Sequence, residues 1–95
     1  MTVKIEVERF LQEKIDADKN VVSDGTLKQN VTLKFTDEDY SSSYIETQWL
    51  TIDSSKSDDD YVKEAYELMK DNVNTWQNSE KLIGKTFNPT TGKIE

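Results

Sequence analysis

The sequence predicts a small α+β domain, and three observations carry that expectation. Across residues 58–76, Tyr61, Val62, Ala65, Tyr66, Leu68, Met69, Val73 and Trp76 fall within an arc of about 160° at ~100° per residue, broken only by Asn72. Leu27, Gln29, Val31, Leu33 and Phe35 alternate with Lys28, Asn30, Thr32 and Lys34, the period of a strand with one wet face. Turn-forming residues punctuate the chain at Ser23-Asp24-Gly25-Thr26 and again at Asn88-Pro89-Thr90-Thr91-Gly92. The expected architecture is an N-terminal helix, an antiparallel sheet of two to four strands, and a long amphipathic helix across one sheet face. A short C-terminal hairpin or turn completes it.

The first element reads as a helix over about residues 3–17. Val3, Val7, Phe10, Leu11 and Ile15 lie within about 140° on a helical projection, with Lys14 intruding and Ile5 outside. Thr2 suits an N-cap, and Asp16-Ala17-Asp18-Lys19-Asn20 suits a helix end. The alternation of Val3, Ile5 and Val7 also permits a strand at the start. After the Asp-Gly turn and the first strand, residues 36–43 form a polar loop. A second strand is expected at about 44–52, rich in β-branched and aromatic residues. Apolar groups occur on both of its faces, so it either bends or offers one side to a partner. Ser57 or Asp58 then caps the main helix, with acidic residues suited to its first turn, and Gly84 ends any extension beyond Trp76. No linker divides the 95 residues, so residues 1–95 are expected to form one domain.

Composition removes several kinds of chemistry. The chain has no cysteine and no histidine, so it lacks disulfides, thiolate zinc sites, a cysteine nucleophile and imidazole acid–base catalysis. Mean hydropathy is −0.81 and 34% of residues are apolar, so the few large side chains must be used efficiently. No apolar run has the length of a signal peptide core or a membrane span, which leads to an expectation of a cytoplasmic protein with no membrane partner. Asn30-Val31-Thr32 matches the glycosylation pattern by chance in that setting. Gly84-Lys85-Thr86 resembles the end of a phosphate loop, but Ser79 stands where that pattern needs its first glycine. Residues 53–64 place Asp53, Ser55, Ser57, Asp59 and Glu64 at calcium-loop positions, yet Asp58 occupies the position that requires glycine. No catalytic group, cofactor or metal site is therefore expected. Lys4, Arg9, Lys14 and Lys19 do not make a helical stripe, and a single arginine provides few bidentate contacts, which disfavours direct nucleic-acid binding.

What remains is charge. The net charge is −7, and residues 37–64 alone hold nine acids against two lysines, a net of −7, so the rest of the chain is neutral. Acids there alternate with aromatic and hydroxyl groups that suit protein contacts. The expected partner-binding residues are Asp37, Glu38, Asp39, Tyr40, Tyr44, Glu46, Asp53, Asp58, Asp59 and Asp60. They describe a non-enzymatic acidic module that docks on a basic partner protein, such as a nucleic-acid-binding enzyme whose groove accepts carboxylates in place of phosphates. In size and charge the chain resembles small acidic proteins of phages and mobile elements, including inhibitors of host nucleic-acid enzymes. The alternative is a structural or assembly subunit, such as a small phage particle component or chaperone, docking through apolar strand surface.

Overall fold

The computed structural model describes residues 3–95. It is an α+β structure in which three long strands precede the helix. These are β1 (Val3–Ile15), β2 (Thr26–Asp37) and β3 (Ser42–Thr51), followed by α1 (Asp58–Glu80) and the short strands β4 (Phe87–Asn88) and β5 (Lys93–Ile94). β1, β2 and β3 form an antiparallel sheet in that order, with β2 central, while β4 pairs with β5 apart from it.

The expected N-terminal helix is a strand, and the Thr2 cap proposed for it lies outside the described residues. The reason is a β-bulge. Val7 stands opposite Leu33 and Arg9 opposite Thr32, so Glu8 is an extra residue on β1. The insertion moves the inward positions from Val3, Ile5 and Val7 to Phe10 and Gln12, which face Val31 and Gln29. Spacings of 3 and 4 therefore arise in a strand, and they imitate helical periodicity. Leu11 and Ile15, which a helix would place beside Val7, fall on the outer face instead. Residues 16–20, expected as a helix end, form a turn in which Asp16 Oδ1 accepts from the amides of Asp18 at 2.9 Å and Asn20 at 3.0 Å. Gly25 follows because a Cβ there would lie 2.4 Å from the carbonyl oxygen of Ile15.

β2 and β3 make a tight hairpin. The polar loop expected over 36–43 shrinks to Glu38–Ser41, because Thr36 and Asp37 pair with Ser43 and Ser42. Val31, Leu33 and Phe35 of β2 are fully buried under α1 against Leu50, Tyr61, Ala65, Met69 and Val73. The outer face is polar at its centre, where Thr32 Oγ1 meets Thr47 Oγ1 at 2.7 Å and donates to Asn30 Oδ1 at 2.9 Å. On β3 it carries Ile45, exposed, and Trp49, half-buried.

α1 starts at the expected cap. Ser57 accepts the Asp60 amide, and the Asp60 carboxylate accepts the Ser57 amide at 3.0 Å, a closed capping box. Tyr61 fixes the preceding loop, its hydroxyl accepting from the Asp53 amide and donating to the Asp53 carbonyl, both at 2.8 Å. The helix runs a full turn past Trp76, to Glu80, within the extension that Gly84 is expected to end. Its buried stripe is Tyr61, Ala65, Met69, Val73 and Glu80, with Trp76 partly covered. Leu68, at the margin of the predicted arc, is exposed. Gly84, at φ +86°, turns the chain away from the helix into the terminal hairpin.

Truncation separates stripe from margin. Leu33→Ala and Met69→Ala are expected to lower unfolding free energy by about 2–5 kcal/mol. Leu68→Ala is expected to stay within ~0.5 kcal/mol of the parent. Urea titrations followed by far-ultraviolet circular dichroism check both, and a large loss at Leu68 would mean the helix is rotated from this position.

Candidate functional site

The acidic segment does not form one face. β3 spans ten residues, about 30 Å at ~3.3 Å per residue, and separates the acids into two groups. Glu38, Asp39 and Tyr40 lie exposed in the β2–β3 turn, beside the last turn of α1. Asp53, Asp58, Asp59 and Asp60 lie at the opposite end, where β3 leads into α1. Several of these carboxylates have local work. Asp53 Oδ1 accepts from the Ser55 amide at 2.9 Å and the Ser55 hydroxyl at 2.6 Å, which hold its carboxyl below the usual range. Asp60 is likewise held low by the Ser57 amide and hydroxyl of the capping box. Asp58 and Asp59 remain exposed beside it.

Tyr44 and Glu46 occupy the inner face of β3, at the margin of the helix. The Tyr44 ring stacks on Trp76 with centroids 6.0 Å apart, and its hydroxyl donates to Glu46. That bond, with burial second, pushes the Tyr44 phenol up to about 12. Burial alone would raise Glu46, but donors outweigh it and hold its carboxyl low: Tyr44, Asn72 at 2.9 Å and Gln48 at 2.8 Å. The two residues therefore join sheet to helix, which turns both toward the protein's own interior.

Asp37 is fully buried rather than displayed. It sits at the end of β2 against Glu80, which is also buried and which the sequence reading did not single out. Asp37 Oδ1 accepts the Asp39 amide at 3.0 Å, but no donor reaches Asp37 Oδ2 or either carboxyl oxygen of Glu80 among the described residues. Burial, then the nearby charge of Asp37, raise the Glu80 carboxyl above its ordinary value. A proton kept on Glu80 converts repulsion into a hydrogen bond to Asp37. The signal for Glu80 was present in the sequence: the stripe at 61, 65, 69, 73 and 76 reaches position 80 at helical spacing.

Apolar side chains are left uncovered beside the helix. α1 packs on β2 and β3, and it meets β1 through side chains alone, Tyr61 reaching Phe10. Ile5 and Val7, on the inner face of β1, are 47% and 52% exposed. Two adjoining depressions of about 310 and 400 Å³ run between β1 and α1 and share Ile5 and Tyr66. Val3 and Phe35 line one of them, Val7, Leu33 and Val62 the other, with Asp59, Lys63 and Lys70 on the helix side. The terminal hairpin presents further exposed apolar groups in Leu82, Ile83, Phe87 and Ile94.

Among the described residues no three Asp or Glu side chains converge as a metal site. In the calcium-like stretch, Glu64 is turned to Lys56 at 2.6 Å while Asp53 serves Ser55. No helix of the described residues is long and apolar enough to cross a membrane. Comparisons with known protein families, with curated proteins and with solved structures find nothing that matches the chain.

The carboxyl pair generates a pH dependence with a definite sign. A carboxyl raised in the folded state contributes stability below its unfolded value, and that contribution is lost as pH rises through the folded value. Glu80→Gln mimics the protonated form. It is expected to match the parent near pH 4 and to gain over it progressively toward pH 7, measured as the difference in urea midpoint between the two proteins. A difference independent of pH would rule out a raised Glu80 carboxyl.

Proposed function

We propose that this protein is a non-enzymatic binding and assembly module that docks through the uncovered apolar strip along β1. The observation that carries this reading is that α1 covers two strands of a three-stranded sheet, leaving Ile5 and Val7 exposed beside Val62 and Tyr66. Apolar side chains that line a continuous depression are the usual mark of a protein contact. The strip belongs to β1 and α1, not to the Tyr44–Ile52 stretch that the sequence suggested for an assembly subunit. On β3, Leu50 is buried in the core and Tyr44 is stacked on Trp76.

A second reading keeps the acidic pole. Asp58 lies exposed at the start of α1, at the same end of the sheet as Asp53, and this end would attract a basic protein such as a nucleic-acid-binding enzyme. The two readings differ in their response to salt. Contacts through the strip persist at ~0.5 M salt, where screening removes long-range attraction, whereas docking through exposed carboxylates does not.

Val7→Asp places a carboxylate in the strip without entering the core. It is expected to weaken a strip-mediated complex at least tenfold, since an unpaired charge in an apolar contact costs several kcal/mol. Ile45→Asp, on the outer face, is expected to leave binding intact. The measurement is recovery of complexes with a tagged chain at low salt and at ~0.5 M salt. Complexes that are stripped by salt, lost in Asp58→Asn and indifferent to Val7→Asp would replace the first reading with the second.

A further inference from the structure

We propose that β1 is also the contact between two copies of this chain, which pair antiparallel along its free edge and extend the sheet from three strands to six. The inference rests on the strip as a docking surface and names a second copy as part of that surface. β1 is thirteen residues long, with β2 along one side. Its other edge is bridged at its end, where the Val22 amide donates to the Lys14 carbonyl and the Asp16 amide to the Asn20 carbonyl, both at 3.0 Å. Among the described residues no other strand covers that edge over 3–13.

The sequence of β1 is complementary to itself in one register. A two-fold axis between Glu8 and Arg9 sets Lys4 against Glu13 of the second copy, and Glu8 against Arg9 of the second copy. By symmetry this makes four pairs of opposite charge and none of like charge. Val7 meets Phe10 of the second copy, and Ile5 meets Gln12 of the second copy. The bulge makes this register possible. In a regular strand, Val7 and Phe10 would point to opposite faces, but the extra Glu8 puts both inward. Lys4, Glu6, Leu11 and Glu13 correspondingly share the outer face. Sliding the register two residues one way sets Glu6 against Glu13. Sliding it the other way leaves only Glu6 against Arg9. Cross-strand charge pairs therefore select a single alignment.

The geometry accommodates two helices. Each α1 lies over β2 and β3, so four strand spacings of ~4.8 Å hold the helix axes about 19 Å apart across the new centre. The two strips of Val3, Ile5, Val7 and Phe10 then form one apolar floor between the helices, flanking each other and open above to the partner proposed in the preceding section. The other edge, β3, is a weaker candidate. Its one charge, Glu46, is held by Tyr44, Gln48 and Asn72, and its inner face is already under α1.

Charge reversal tests the register. In sedimentation equilibrium at ~10–500 µM the chain is expected to be a dimer, with Glu13→Lys and Lys4→Glu each weakening it about tenfold through like charges placed opposite one another. The combined Lys4→Glu/Glu13→Lys protein is expected to recover the dimer. Glu13→Lys also removes the Arg9–Glu13 pair at 2.8 Å within the strand, which the double variant does not restore, so recovery reports the contact between copies. Both substitutions are on the outer face, and circular dichroism checks the folding of all three variants. A monomeric parent, single variants without effect, or a double variant that stays monomeric would each overturn the proposal. So would a dimer lost only on Ile45→Asp, which would place the contact on β3. Because Lys4 and Glu13 lie outside the strip, a monomer that still binds its partner refutes the dimer alone, and a dimer whose complexes ignore Val7→Asp refutes the strip alone.

Discussion

One helix is too narrow to cover three strands. An α-helix with its side chains is about 10 Å across, close to two strand spacings of ~4.8 Å. α1 is centred over β2 and β3, where Phe35 and Leu33 meet Ala65 and Met69. The inner face of β1 therefore has no layer above it beyond the reach of Tyr61 to Phe10, whose rings meet edge to face at 6.3 Å. Two features follow from that mismatch: an apolar strip beside the helix, and a core whose apolar residues are concentrated on two strands.

The bulge at Glu8 is the second determinant, and it also explains the main misreading of the sequence. Apolar residues at 3, 7, 10, 11 and 15 satisfy a helical projection, and only the alternation at 3, 5 and 7 spoke for a strand. A strand with one inserted residue produces both patterns at once. What decides between them is the partner: β2 offers complementary residues from Thr26 to Asp37, and pairing along that length outweighs a local preference. Nothing within residues 3–15 encodes that outcome by itself.

Charge that is contiguous in the chain is not contiguous in space. A hairpin followed by a helix returns the chain twice along the sheet, so the acids of 37–40 and 53–60 end at opposite poles. At each pole some of them hold structure together, Asp60 in the capping box and Asp37 against Glu80. The pairing of Asp37 with Glu80 crosses more than forty residues of sequence and links the end of β2 to the last turn of α1. A carboxyl near a helix C-terminus opposes the helix dipole, which adds to the pressure for this group to keep its proton.

Local physical chemistry was enough for several elements. Amphipathic spacing gave α1 and its stripe, Ser57 with Asp60 gave its start, strict alternation gave β2, and the 88–92 turn gave the small terminal hairpin. Each depends on interactions within a few residues, so each is legible in one chain. Tertiary structure decided the rest: the strand character of β1, the dispersal of the acids, the burial of Asp37, and the uncovered strip. Those depend on which distant segments pair and on how far one helix can reach across a sheet, and neither is set by neighbouring residues.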